Sequence, residues 1–485
     1  MSIRLCSNAV CTAFNINIDL DNFFGSFNFG RVRGFFIKNK NFELHVDVAT
    51  AIAQIACFKD ELPQGSPCSP VITNLICHPM DIVLARMAKK YSCTYTRYAD
   101  DITFSTRKNH FPSAIMVETN GVYTPSKKLD HEICRAGFVI NHKKSRIQYQ
   151  DSRQDVTGLI VNKKIGIKKE YRRITKAMCH SLFCTGQYVK VVEGEETEGT
   201  INELEGRLNF IDSIDRHNRV NYPESLSPLY QHRKHGVRTR EVWNSREKTF
   251  SRFLYYKYFY ANQMPTVLCE GHTDNIYLKS ALKSLKVQFP KLIDATNFKI
   301  TFVNYSKRTR FLLELAGGTS YLANFITSFE ERYKFYQAPK PENPVIIILD
   351  NDDGLEKNGG ILVKLQEIQS TNIFPPPPRK GNKKNKLKNA DFIHVTDNLY
   401  VVFTPLKGGR DTMIEDLFDV AALSSVVSGR TFDRTEKLKP SSSYYGKNEF
   451  ATQVIQKQAS TINFSGFTTL LSRVVKAIEH YESIR

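Results

Sequence analysis

The sequence predicts two modules of different fold class: an α+β module continued by a helical segment, then an α/β module built on a parallel sheet. Three observations lead there. The stretch Thr94-Tyr95-Thr96-Arg97-Tyr98-Ala99-Asp100-Asp101-Ile102-Thr103-Phe104-Ser105 sets an Asp-Asp pair between two aromatic and β-branched runs, the pattern of a β-hairpin with carboxylates at its tip. Residues 14–24 alternate apolar and polar positions and end in acids, as a half-buried strand does. Val345-Ile346-Ile347-Ile348-Leu349 is apolar throughout and runs into Asp350-Asn351-Asp352-Asp353, the signature of a strand covered on both faces. At 485 residues the chain exceeds one ordinary core, so two or three domains are expected.

Composition narrows the class. Hydrophobic content of 41% and charged content of 24% suit a globular protein. No apolar run looks long enough to span a membrane and no secretory signal opens the chain, so a cytoplasmic protein without a membrane partner is expected. The formal charge of +19 is spread along the sequence and suits a polyanionic partner, most simply nucleic acid. Ten cysteines occur without any C-x-x-C pair, which points away from a zinc ribbon or a disulfide framework and toward a reducing compartment.

In the first module, adjacent carboxylates at a tight turn repel each other, and a divalent cation offsets that cost. An Asx-rich surface turn is the other reading of these residues alone. Asp19 ends its strand with a carboxylate free to leave the sheet, as a helix N-cap or as a third metal ligand. Two cations on such a triad clamp the attacking 3′-hydroxyl and the leaving phosphate oxygens of in-line nucleotidyl transfer. Between these elements Leu62-Pro63-Gln64-Gly65-Ser66-Pro67-Cys68-Ser69-Pro70 forms a rigid loop leading into an apolar helix over 71–84.

In this order, strand-Asp, Gln64-Gly65-Ser66-Pro67-x-Ser69-Pro70 and Tyr98-Ala99-Asp100-Asp101 resemble the palm of reverse transcriptases. The resemblance implies that Asp19, Asp100 and Asp101 are catalytic and, with the Leu20 carbonyl, bind Mg2+ or Mn2+ in a two-metal site. It implies that Phe24 lies under the sugar of the incoming dNTP, that Gln64, Gly65, Ser66 and Tyr98 position substrate, and that a lysine of Gly137-Phe138-Val139-Ile140-Asn141-His142-Lys143-Lys144 meets the pyrophosphate. Lys143 is the candidate, although the sequence does not separate it from Lys144. Val156-Thr157-Gly158 resembles the signature of bacterial retron reverse transcriptases. Residues 166–245 then read as a helical thumb. Ile174, Ala177, Met178, Ser181 and Leu182 form its apolar face, and Arg172, Arg173, Lys176 and His180 either face a nucleic-acid backbone or are merely solvated.

The retron family binds a structured noncoding RNA, copies part of it, and stays attached to the branched RNA-DNA product, msDNA. Only 18 residues precede Asp19, where the family places a longer fingers subdomain. Asn8-Ala9 stands as a shortened form of the family's Asn-Ala-x-x-His element, with Thr12 at the His position. The expectation is a palm with its fingers largely missing and weak primer extension. A polymerase-inactive, nucleic-acid-binding scaffold is the alternative.

Residues 250–260 are dense in aromatics and read as part of a connecting helix, with direct base stacking as the other use. Thr266-Val267-Leu268-Cys269-Glu270-Gly271 followed by a helix over 275–285 is the entry to a βα unit. Sites in open α/β sheets form outside the strand carboxyl ends, so Glu270 and Asp350/Asp352 can converge. The Glu270-Gly271 and Asp350-Asn351-Asp352 pair resembles a TOPRIM domain, nearest the branch of overcoming-lysogenization-defect nucleases. Ile414-Glu415-Asp416-Leu417 and Gly446-Lys447 match further elements of that branch. The resemblance implies that Glu270, Asp274, Asp350, Asp352 and Glu415 bind one or two divalent ions, and that Lys447 is catalytic, stabilising charge on a scissile phosphate. From the residues alone, Glu415 is equally a helix-start acid and Lys447 a surface cation. Residues 374–389 place four prolines before six cations, a basic insertion that either contacts phosphate or serves as a solvated spacer.

The expected organisation is a palm over 1–165, a thumb over 166–245, a connecting helix over 246–264 and a TOPRIM-like nuclease domain over 265–485. The function it implies is a retron-type RNA-directed DNA polymerase fused to a nuclease effector in anti-phage defence. Its partners would be dNTPs, the noncoding RNA with its product, and a DNA or RNA target; homo-oligomerisation is left open. A topoisomerase-like enzyme would need a nucleophilic tyrosine in a separate domain, and none is recognisable.

Overall fold

Strands β1 (Phe14–Leu20), β2 (Cys93–Tyr98), β3 (Asp101–Thr106) and β4 (Ile140–Tyr149) form an antiparallel sheet in the order β2-β3-β1-β4. The computed structural model describes residues 6–7, 9–10, 12–352, 355, 360–376, 383–433 and 443–485, without the side chains of 383–385. Asn8 therefore lies outside the described residues, as do 377–382 of the basic insertion. Strand alternation sorts the sheet into two faces. Ile16, Ile18, Leu20, Ile102 and Phe104 are buried in one core, while Asn17, Asp19, Asp101 and Thr103 share the other face, where Thr103 Oγ1 donates to Asn17 Oδ1 at 3.0 Å.

The apolar face packs on helix α1 (Ser69–Lys90), longer than expected from sequence, with Pro70 in its first turn. By length and composition α1 would suffice to cross a bilayer, contrary to the expectation that no such run exists. Its Ile72, Cys77, Met80, Leu84 and Met87 belong to this core, so the apolar length is spent on packing. One cation also sits on this covered face. Arg97 of β2, with a side chain only 3% exposed, donates from Nε and Nη2 to the two oxygens of Asp81 on α1, each at 2.8 Å. Tyr95 Oη donates to Asp81 Oδ1 at 2.6 Å, and Arg97 Nη1 donates to the Ala99 carbonyl at 3.0 Å. Burial pulls the guanidinium down, but the bonds to Asp81 outweigh it and hold Arg97 charged. Burial, with Asp81 adding to it, pushes the Tyr95 phenol up.

Contacts divide the chain into two compact units, Met1–Arg173 with Ser213–Pro223, and Ile174–Asp212 with Glu224–Arg485. The division runs through two helices of the expected thumb, α2 (Lys169–Thr185) and α3 (Ile201–Asn221). The buried face of α2 is Thr175, Cys179, Leu182 and Phe183; of the predicted face Leu182 is buried and Met178 packs on the core, whereas Ile174 is 49% exposed and Ala177 is exposed. Within the second unit, Cys179, Leu182 and Phe183 share a core with the rings of α4 (Ser245–Tyr255) and of the π-helical turn Tyr256–Tyr260. Phe253 and Phe259 are 0% exposed, so the aromatic segment is core, and these rings are closed to base stacking.

The rest of the second unit is a six-stranded sheet of β5 (Thr266–Cys269), β6 (Thr301–Phe302), β7 (Val345–Leu349), β8 (Asn372–Phe374), β9 (Phe392–Thr396) and β10 (Leu399–Phe403). The order is β6-β5-β7-β10-β9-β8, parallel through the first four strands and antiparallel through the last two. Both faces are covered: Val345, Ile347 and Leu349 enter one core, and Ile346 and Ile348 enter another. This is why β7 reads as an unbroken apolar run. In the basic insertion, Lys388 is 6% exposed and pairs with Asp411 at 2.9 Å. It is a structural ion pair, which corrects its inclusion among phosphate-contacting cations.

The Arg97–Asp81 fork generates a stability prediction. Asp81→Ala leaves a buried guanidinium without its counter-charge and should cost the first unit about 3–5 kcal/mol. Hydrogen exchange of the 93–106 hairpin should accelerate sharply while the strands at 266–269 and 345–349 stay protected; unchanged hairpin protection would refute the role of the fork.

Candidate functional site

The Asp100-Asp101 turn is the shortest link the antiparallel pairing allows, and it places Ala99 at a φ of 52°. Leu20 N donates to the Asp100 carbonyl at 3.1 Å, tying the turn to the end of β1. Asp19 and Asp101 are direct register partners on the polar face. Burial raises the Asp101 carboxyl, Asp100 and Asp19 add to this, and Arg146 and Lys144 oppose it. Lys144 Nζ lies 3.5 Å from Asp19 Oδ1. Of the two adjacent lysines it is therefore Lys144, not the candidate Lys143, that stands beside the acids. Lys143 is exposed.

Three carboxylates offer the all-oxygen donor set that a hard divalent cation takes. Among the described residues, however, no three His, Cys, Asp or Glu side chains are already gathered as a metal cluster. Asp19 instead meets Lys144, a cation that occupies the place of a counter-ion. The fit is one of charge and donor type, and an ion would compete with Lys144 for Asp19.

The remaining candidates surround this turn in sequence but differ in burial. Tyr98 is 48% exposed and pairs in register with Asp101. Phe24 is half-buried, its ring edge-on to Phe23 with centroids 5.3 Å apart. Gln64 and Gly65 are exposed in a loop that Ser69 closes by donating to the Pro63 carbonyl at 2.8 Å, and Gly65 takes a φ of 95° that a side chain would strain. Ser66 Oγ is 3.1 Å from Cys68 Sγ. The Val156-Thr157-Gly158 stretch is a tight hairpin, Asp155–Val156 against Leu159–Ile160, with Thr157 and Gly158 both at positive φ. Asp155 ties it to the polar face through Arg146 and Gln148, each at 3.0 Å. On α2, Arg173 and Lys176 are exposed and Arg172 is half-buried. Sequence reading missed Arg97, Asp81 and Arg146. The signal for the first two was a lone Arg on the inward parity of β2 and a lone Asp in an apolar helix.

The second unit holds a separate acidic cluster. β5 and β7 are parallel neighbours, so Glu270 and Asp350 leave the sheet at adjacent carboxyl ends. Glu270 Oε1 accepts from Thr319 Oγ1 at 2.7 Å, and Asp350 Oδ1 accepts from Ile414 N at 2.8 Å. The latter bond draws the turn Ile414–Leu417, with the fully buried Glu415, to the end of β7. Asp274, at the start of α5 (Asp274–Ser284), accepts from Gly271 N at 2.7 Å. Lys447 Nζ stands 3.2 Å from both carboxylate oxygens of the buried Glu415 and donates to Oε2.

Electrostatics describe one coupled group. Burial, reinforced by Glu415 and Glu270, pushes Asp274 up to about 7 against the Gly271 amide and Lys447. Burial, then Asp274, Glu415 and Glu270, raise Asp350 well above the ordinary carboxyl range. Burial also raises Glu270, with Asp352 adding to it, and Glu415. For Lys447 burial acts downward but is outweighed by Glu415, Asp350 and Asp274, so the ammonium is held charged. One lysine against four buried or half-buried carboxylates leaves this group short of positive charge, the charge balance a divalent cation would relieve, although here too no three of the side chains already converge as a metal cluster among the described residues.

Comparison with known proteins bears on the first of these regions. Residues 21–161 match the family model described as reverse transcriptase (RNA-dependent DNA polymerase). The Retron Ec86 reverse transcriptase of Escherichia coli is 34% identical over 221 residues, covering 45% of this chain and 62% of that protein. The first part of the chain is homologous to retron reverse transcriptases. The Retron Mx65 reverse transcriptase of Myxococcus xanthus is 27% identical over 237 residues, 45% of this chain and 49% of that protein. The chain thus spans less than two thirds of the length of either relative. Among solved structures, apo telomerase from Candida Tropicalis truncated from its C-terminal domain overlaps 33% of this chain and 36% of its own at 12% identity. The TM-score of 0.24 is too low for that overlap to bear on the fold.

The buried carboxylates couple stability to pH. Their folded-state pKa values lie above the unfolded ones, so the folded protein binds more protons between the ordinary Asp value of 3.8 and about 7. Stability of the second unit without divalent cation should therefore fall as pH rises through that window. Urea unfolding followed by Trp243 fluorescence in EDTA should give a lower midpoint at pH 8 than at pH 5, and Mg2+ should recover the loss at pH 8. A midpoint that rises with pH contradicts the cluster.

Proposed function

We propose that the chain is a retron-type RNA-directed DNA polymerase that copies a structured noncoding RNA into branched RNA-DNA. We further propose that its second unit is a TOPRIM-type, metal-dependent nuclease effector serving anti-phage defence in the cytoplasm. The observation that carries the first half is the pairing of Asp19 with Asp101 on the polar face of the sheet, beside Asp100 and Lys144. Homology to retron reverse transcriptases supports it, and such domains generally use Mg2+ in a two-metal site and bind RNA templates and dNTPs. The second half rests on Glu270, Asp274, Asp350 and Glu415 meeting Lys447 outside the carboxyl ends of parallel strands.

When bound, the divalent ions supply Lewis-acid stabilisation of the attacking and leaving oxygens. The chain's own residues do the rest. Asp19, Asp100 and Asp101 would hold the ions, and Arg97 keeps the turn that presents the two acids. Lys144, which stands beside Asp19, would offer positive charge to the phosphates of the incoming dNTP. The exposed Gln64 loop and Tyr98 would meet template and substrate, and Phe24 would lie under the sugar of the incoming dNTP. In the second unit Lys447 would neutralise charge on a scissile phosphate, and Glu270, Asp350, Asp352 and their neighbours would hold metal.

Two single substitutions separate the activities. Asp100→Ala should lower DNA synthesis on a primed RNA template by about 100-fold or more and leave cleavage of an end-labelled DNA and RNA panel unchanged. Asp350→Ala should do the reverse. Wild-type protein without primer extension, but with cleavage lost in Asp350→Ala, would instead identify the first unit as a scaffold.

A further inference from the structure

A cavity of about 380 Å3 opens elsewhere in the second unit, lined by none of the carboxylates described above. It is bounded by α4, by the segment before it, and by the end of α6 (Thr319–Tyr333). Its volume falls in the range of small-molecule sites. Two kinds of side chain make the walls. Trp243, Tyr255, Phe335 and Tyr336 supply aromatic surface, and Arg240, Lys248, Arg252 and Arg332 supply charge.

The charges are not balanced within the protein. The buried Glu314 takes both Arg240, at 3.0 Å, and Arg332, at 2.7 Å, so one carboxylate serves two guanidiniums. Lys248 and Arg252 have no carboxylate partner among the described residues, and the wall adds only one further acid, Glu331. Four cations thus stand against two carboxylates, an excess that suits a phosphate monoester dianion. The Arg252 guanidinium lies over the Phe335 ring, 4.0 Å from its centroid, a cation–π contact that positions the charge at the cavity. Ser251 is 5% exposed at the cavity wall.

The rings are held in place by their own polar ends. Trp243 Nε1 donates to the Phe311 carbonyl at 2.9 Å, Tyr255 Oη to that of Phe329 at 3.2 Å, and Tyr336 Oη to that of Arg252 at 2.7 Å. A rigid aromatic wall beside unpaired guanidinium and ammonium groups matches a flat heterocycle joined to a phosphate. A simple anion site would need the cations without the rings, and an apolar pocket the rings without the cations.

We propose that this cavity binds a nucleoside monophosphate unit, its base against Trp243 and its phosphate at Lys248 and Arg252. The site goes beyond both activities proposed above, and it serves either a free nucleotide or the phosphorylated end of a strand. Trp243 is the only tryptophan of the chain, so its fluorescence reports this cavity directly.

Full-length protein, stripped of nucleic acid in high salt, is titrated with adenosine 5′-monophosphate, with a 5′-phosphorylated DNA tetranucleotide, and with inorganic phosphate. A saturable change in Trp243 emission is expected with at least one of the first two, and phosphate alone should be at least about tenfold weaker. Tighter binding of the tetranucleotide identifies a strand end; tighter binding of the monophosphate identifies a free nucleotide. Arg252→Gln with Lys248→Gln, both at exposed positions, should weaken binding about tenfold or more. Lys457→Gln, an exposed cation outside the cavity, should not. No saturable change with either nucleotide probe, or equal affinity in the double variant and wild type, would overturn the proposal.

Discussion

A guanidinium buried under the first sheet is the constraint on which the polymerase-like region depends. Arg97 sits where alternation calls for an apolar side chain, so its charge must be met from inside the core, and Asp81 of α1 meets it with both oxygens. The same side chain grips the Ala99 carbonyl, inside the turn that carries Asp100 and Asp101. Helix, strand and turn are thereby coupled through one residue. A turn with two adjacent acids is repelled from within, and an interior anchor lets it keep one conformation while its carboxylates stay at the surface.

The second unit solves a related problem differently. Its acids are buried, at the ends of strands covered on both faces, and what holds them is a set of single bonds from Thr319, Ile414 and Gly271 together with the ammonium of Lys447. Positive charge is scarce there. The cluster is therefore costly when fully ionised, and its protonation and any cation it takes up are parts of the same balance. In the first unit Lys144 meets Asp19 closer to solvent, and the penalty is smaller. Metal should matter to folding stability in the second unit far more than in the first.

Much of this was legible in the sequence because period and parity carry it. The alternation of 14–20, the hairpin around Asp100-Asp101 and the apolar run 345–349 each declare their element, and acids at strand ends declare where two of them meet. What was not legible depends on partners chosen in three dimensions. The Lys143/Lys144 choice turns on a register shift of β4 against β1 between Asn17 and Asp19, which breaks simple alternation. The buried face of α2 is the one that meets the rings of 250–260, so Leu182 and Phe183 are buried while the equally apolar Ile174 is exposed. Lys388 read as one cation in a run until Asp411 claimed it. The Arg97–Asp81 pair spans 16 residues, and only the docking of β2 on α1 brings the two together.

The most direct test is the nucleic acid that co-purifies with the full-length protein when it is expressed with its flanking genomic DNA. Digestion with ribonuclease and deoxyribonuclease in turn should reveal DNA covalently joined to RNA, and that DNA should be missing from the Asp100→Ala protein. Bound RNA with no attached DNA in the wild type, or the same RNA-DNA in both proteins, would contradict the assignment of the Asp19, Asp100 and Asp101 site to RNA-directed DNA synthesis.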